Sequence, residues 1–175
     1  MSDFGSTTFG YLIAYVLPGL TAGIAGGFLS DRVQQLFSTV IDEQNLPLGL
    51  ICALMTIAVG LFLSLFRALI FEEWLWRNER LSADDYSALA DDEQTFSAYD
   101  RVVDDAYRFH QFWGGMALAL PPLVLGGVLH GRATAEGSET AAVILLGLAF
   151  EAGALWAAGA TYRRYLTRVR KILNG

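Results

Sequence analysis

Four long blocks of apolar residues, separated by stretches that hold nearly all the charge, divide this chain of 175 residues. The first runs from about Thr7 to Leu29, and its 23 residues reach about 34 Å as a helix, enough to cross a hydrocarbon core of roughly 30 Å. A cleaved signal peptide begins with positive charge, whereas residues 1–6 contain Asp3 and no Lys or Arg, so a retained span is expected. The second block begins at Pro47, a favoured first-turn residue, and runs to about Phe71, with Arg67 near its end and Trp74 and Trp76 just beyond. The third runs from Phe112 to Leu129, with Phe109, Phe112 and Trp113 at its start. Pro121-Pro122 in its middle removes backbone donors and is expected to kink or locally break the helix. The fourth spans about Thr140 to Tyr162, with Tyr162 and Tyr165 at its exit.

The polar stretches carry patterns of their own. In the middle loop, 72–111, Ser82-Ala83-Asp84-Asp85 has the form of a capping box. Farther on, Tyr99, Val102, Val103, Ala106, Tyr107 and His110 recur at helical spacing on one face, while Asp100, Arg101, Asp104, Asp105 and Arg108 fill the other. Arg101 with Asp105, and Asp104 with Arg108, stand four apart, close enough to pair on a helix. The pattern predicts a helical hairpin continuous with the second and third spans. Between the first two spans, Val33, Leu36, Phe37, Val40 and Ile41 form an apolar stripe that predicts an in-plane surface helix.

Composition agrees with the pattern: 54% of residues are hydrophobic and 17% charged, against about 25% charged in a soluble domain. Lys and Arg then set the orientation. The tail holds Arg163, Arg164, Arg168, Arg170 and Lys171, and the middle loop holds Arg77, Arg80, Arg101 and Arg108. The other two loops hold only Arg32 and Arg132. Nine against two places the tail and the middle loop in the cytoplasm, and four crossings return the N terminus to the same side. The expected fold is therefore all-α: one transmembrane domain over 1–175, with a cytoplasmic helical hairpin between the second and third spans. The net charge of −6 argues against nucleic acid as a partner. Cys52, the single cysteine, sits within an apolar run and is expected to act as a small hydrophobe.

Glu151 is the most informative single residue, because an acid in the middle of a span must be neutral, paired or wetted. One reading pairs it with Arg67, the other ionisable group well inside a span. Another has Glu151 side chains of several copies lining a cation path. The two readings are compatible. Gly19, Gly23 and Gly27 in the first span, and Gly153 with Ala157 in the fourth, repeat at intervals of four and favour close helix packing within one chain or between copies. Tyr99, Val103, Tyr107 and His110 offer a face for a cytoplasmic protein partner. No metal or cofactor is expected: His110 and His130 fall on opposite sides of the membrane, and no hydroxyl beside His110 offers a nucleophile. The acids Asp84, Asp85, Asp91, Asp92 and Glu93 lack the spacing of a Ca²⁺ loop.

The opening Phe9-Gly10-Tyr11-Leu12-Ile13-Ala14-Tyr15-Val16-Leu17-Pro18-Gly19 resembles the start of small uncharacterised bacterial polytopic membrane proteins, over about one span. Some of these are membrane components of anti-phage defence systems. The resemblance implies a pore-like or effector role in a bacterial inner membrane and no catalytic residue. Together these features predict an oligomeric, non-enzymatic, channel-like or membrane-perturbing protein. A membrane anchor or accessory subunit is the second reading, and a small transporter or intramembrane enzyme the third. The middle loop holds eleven acids against four arginines, which would favour cations at a mouth.

Overall fold

The computed structural model describes residues 10–42, 44–131 and 137–174, and these are almost wholly helical. The elements in chain order are α1 (Leu12–Leu29), α2 (Asp31–Asp42), α3 (Leu46–Leu75), α4 (Ala83–Ala90), α5 (Glu93–Val102), α6 (Arg108–Gly131) and α7 (Gly137–Leu173). Four helical stretches are long and apolar enough to cross a membrane: α1, α3, Arg108–Leu129 of α6 and Thr140–Leu173 of α7. The chain is by this measure a multi-pass membrane protein.

The helices outrun the expected spans at three ends. The third begins at Arg108 rather than Phe112, the second continues to Leu75, and α7 carries on well past Tyr162 to Leu173. Thr7 to Phe9 and Arg132 lie outside the described residues, as do the side chains of Asp105 and His130. The predicted Arg101–Asp105 pair falls there too, whereas Arg108 Nε does bond Asp104 Oδ1. Pro121 and Pro122 do not break α6, which runs through both. Packing from α1 and α7 on either side holds the backbone helical where two donors are missing.

Small residues decide how closely these helices meet. α6 occupies the centre, packed most extensively against α7 and α1 and also touching α3. Gly19 of α1 and Gly60 of α3 lie backbone to backbone. A Cβ on Gly19 would stand 2.0 Å from the Thr56 carbonyl oxygen, and one on Gly60 would stand 1.9 Å from that of Tyr15. The rest of the first-span stripe meets α2, since Phe37 lies against Gly23 and Gly27 and Val33 against Gly26. This stripe therefore serves packing within one chain. It also turns part of the apolar face of α2 inward while Leu36 and Ile41 stay exposed.

Three stretches are wound as π-helix: Leu12–Val16, Ala68–Leu75 and Val103–Tyr107. The first ends just before Pro18, which has no N–H to give and whose ring would crowd a regular α-turn. The other two flank the polar site described below.

At the tail end of the bundle, α4 and α5 pack on the last turns of α7. Leu81, Leu89, Ala106, Tyr162, Tyr165, Leu166 and Val169 form a buried core there. The capping box expected at Ser82 is formed. Asp85 accepts from the Ser82 N–H at 2.7 Å, and Ser82 Oγ accepts from the Asp85 N–H at 3.1 Å. The backbone hydrogen bond from Ser82 holds the Asp85 carboxyl below the usual aspartate value. Asp92 caps α5 in the same way through the Thr95 N–H, at 2.8 Å.

Candidate functional site

The residues with most chemistry gather where α3, α6 and α7 meet at the tail end. Arg67, in the last turn of the α-helical part of α3, is 2% exposed. Its guanidinium is ion-paired with Glu72, five residues on. On a regular α-helix residues five apart point about 140° away from each other. The π-helical turn that begins at Ala68, with hydrogen bonds to the fifth residue, brings them onto one side.

His110 completes the core of the cluster and is fully buried. Its Nδ1 lies 3.0 Å from the carbonyl oxygen of Ala158, which can only accept, so Nδ1 carries the proton. Nε2 is then the acceptor, and it receives a hydrogen bond from Arg67 Nη1 at 2.7 Å. Tyr107 donates its hydroxyl to both oxygens of Glu72, at 3.0 and 3.2 Å. Burial pushes the Tyr107 hydroxyl well above the ordinary tyrosine value, and the Glu72 charge adds to that, so it stays a donor. Gly114 of α6 makes room for this arginine, because a Cβ there would stand 2.7 Å from Arg67 Cγ.

An aromatic shell closes over the four polar groups. Trp76 stacks between Phe71 and Tyr162, at ring separations of 5.3 and 5.2 Å, and lies 5.4 Å from His110. Trp76 is thus an inward wall residue, while Trp74 is 79% exposed, as a membrane-interface residue would be. The arrangement joins α3 to α6 through charge-assisted hydrogen bonds and α6 to α7 through the His110–Ala158 bond, in a largely buried setting where each bond is strong and each loss is costly.

Two expectations are corrected here. The carboxylate that meets Arg67 is Glu72, not Glu151, because Glu72 lies one π-turn away on the same helix. The face of Tyr99, Val103, Tyr107 and His110 is not open to a partner. It is covered by the tail end of α7, with Tyr99 and Val103 packed on the core there and the Tyr99 hydroxyl 3.3 Å from that of Tyr165.

Glu151 stands apart from this cluster. It is partly exposed, and its Oε2 is inaccessible and has no hydrogen-bond partner among the described residues. Leu148 and Leu155, one turn to either side, are exposed. At 3.6 residues per turn Glu151 lies about 160° around α7 from Gly153. The Gly153 side is different in kind. Together with Ala149, Phe150, Ala157 and Trp156 it lines an open apolar groove of about 420 Å³ against Trp113 of α6. Among the described residues nothing lies within 4 Å of where a Gly153 Cβ would be. The fourth-span small residues thus border a groove and do not, at Gly153, seat a neighbouring helix. Among the described residues no cluster of His, Cys, Asp and Glu could hold a metal ion. No family model matches the chain, and no curated protein or solved structure matches it either.

Proposed function

We propose that the protein is a self-associating membrane protein whose copies meet along the Glu151 flank of α7 and enclose a path for cations. One observation carries this reading: a carboxyl eleven residues into a membrane-long helix, at the edge of its exposed surface, with an oxygen that has no partner among the described residues. Hydrocarbon does not tolerate such a group, whereas a water-filled path between copies would hydrate it. The eleven acids of the 72–111 segment would raise the local cation concentration at the tail-end mouth.

The nine-to-two distribution of Lys and Arg puts that mouth in the cytoplasm of a bacterial inner membrane, with both termini on that side. A reporter fused after Gly175 or inserted at Ala90 should then read cytoplasmic, and one near Gly137 external. An external signal at Ala90 would reverse the assignment. The anchor reading ranks second, because the apolar face expected to recruit a soluble partner is covered by α7. An effector role of the kind implied by the opening motif is one setting in which such a path would act.

The flux experiment tests the proposal directly. Purified wild-type protein in liposomes should pass K⁺ in preference to Cl⁻, and Glu151→Gln should keep the assembled mass while losing most of that flux or its selectivity. Wild-type liposomes no leakier than protein-free ones would end the reading, and so would an unaltered flux in Glu151→Gln.

A further inference from the structure

We propose that the groove beside Trp113 and the basic stripe of α7 together form a binding site for one anionic phospholipid. The site lies on the flank of α7 opposite Glu151, so it does not rest on the cation path. Its lower half is the apolar groove of about 420 Å³, wide enough for a length of acyl chain because Gly153 and Ala157 present almost no side chain. Its upper half follows from helix geometry. Arg164 stands eleven residues beyond Gly153, which places it about 20° from Gly153 around the helix and about 16 Å farther towards the tail. Lys171, eighteen residues beyond Gly153, falls on the same line, and Arg168 within about 60° of it.

That distance matches the ligand. About 16 Å is close to half the hydrocarbon thickness of a bilayer, and the length of an arginine side chain carries the guanidinium on to the phosphate level, about 20 Å from the midplane. Arg164 and Lys171 are exposed, and neither makes a hydrogen bond or ion pair among the described residues. No Asp or Glu follows Glu151 in the chain, so nothing on α7 itself competes for these cations. The charge therefore fits a phosphodiester at the tail end of the same face whose membrane-embedded part is apolar and open. A zwitterionic lipid would offer the same chain but would bring its own cation to the guanidinium.

Tryptophan quenching by lipids brominated along an acyl chain reads the site, since Trp113 and Trp156 wall the groove. The full chain carrying Trp74→Phe, reconstituted in mixed vesicles, is quenched by brominated phosphatidylglycerol or by brominated phosphatidylcholine at the same mole fraction. Phosphatidylglycerol should associate more tightly, and Arg164→Gln should lower its preference about five-fold, the value of one cation at a membrane surface. Gly153→Leu should weaken quenching by either lipid, as the side chain fills the groove. Equal quenching by the two lipids overturns the proposal, as does a preference unchanged in Arg164→Gln. Native mass spectrometry covers the remaining occupant: if Gly153→Leu instead dissociates an oligomer, the groove holds a second copy and the lipid site falls.

Discussion

Glu72→Leu is expected to destabilise the protein more than any other single replacement of a charged residue outside the termini. It strips the carboxylate from an arginine that is 2% exposed. Removing one partner of a buried pair typically costs about 3–5 kcal/mol, because the remaining charge is left uncompensated. Arginines near helix ends often relieve such a loss by snorkelling to the interface. Arg67 has little room to do so, with Gly114 against its Cγ and Cδ and the aromatic shell above. His110 cannot replace the lost acid, since its Nε2 offers a single lone pair. The double change Glu72→Leu with Arg67→Met should recover much of the stability, as apolar replacement of both partners commonly does. Thermal unfolding in detergent measures both. A wild-type melting temperature for Glu72→Leu would show that the cluster contributes nothing to the fold. A double variant as unstable as the single would mean that Tyr107 and His110, not Arg67, suffer the loss.

Gly60→Ala is the second large effect, and it comes from a single methyl group. The new Cβ would lie 1.9 Å from a backbone oxygen of Tyr15, and backbone cannot rotate aside as a side-chain tip can. α1 and α3 must then separate along their line of contact. Overpacking a well-fitted core usually costs about 1–3 kcal/mol, and contact with a neighbouring backbone belongs at the upper end. Gly153→Leu supplies the contrast, since a larger side chain enters open space there. The expected result is a lowered melting temperature and folded yield for Gly60→Ala, with Gly153→Leu close to wild type. Equal behaviour of the two would mean that α1 and α3 do not meet through Gly19 and Gly60.

How far these features could be read in advance follows from their physics. The four spans were legible because bilayer thickness imposes a length of apolar helix that ordinary loops do not imitate. Their ends were misjudged where charge falls inside a helix. Glu72 looks like the start of a loop, yet the helix winds on because Arg67 takes up its charge. The pair itself was hidden by its spacing, since five residues apart is a mismatch for any α-helical face. Only the π-turn resolves it, and nothing in Ala68–Leu75 announces one.

The Tyr99 to His110 stripe was visible as an apolar face, but periodicity says that a face is covered and not by what. The cover was Tyr162, Tyr165, Leu166 and Val169, whose own helical spacing is masked by the arginines among them. Glu151 stands out in the sequence as an acid inside an apolar run. That its Oε2 has no partner among the described residues depends on which helix lies opposite, and a linear sequence does not carry that.

The continuity of α7 has a mechanical consequence. Its 37 residues form one rod of about 55 Å, seated at one end on the tail-end helices and crossing the bilayer with the rest. A bilayer that thins or thickens makes its long helices tilt, at a cost of only fractions of a kcal/mol per Å. A tilt of about 5° about the middle of such a rod swings its tail by roughly 2 Å, as the rod length dictates. That is enough to break the hydrogen bond that Arg170, near the tail, donates to the Glu79 carbonyl, whereas Ala158, beside the pivot, barely moves. Membrane tension and thickness are thereby geared to the contact between the tail of α7 and the turn that follows α3, and α7 is the lever arm.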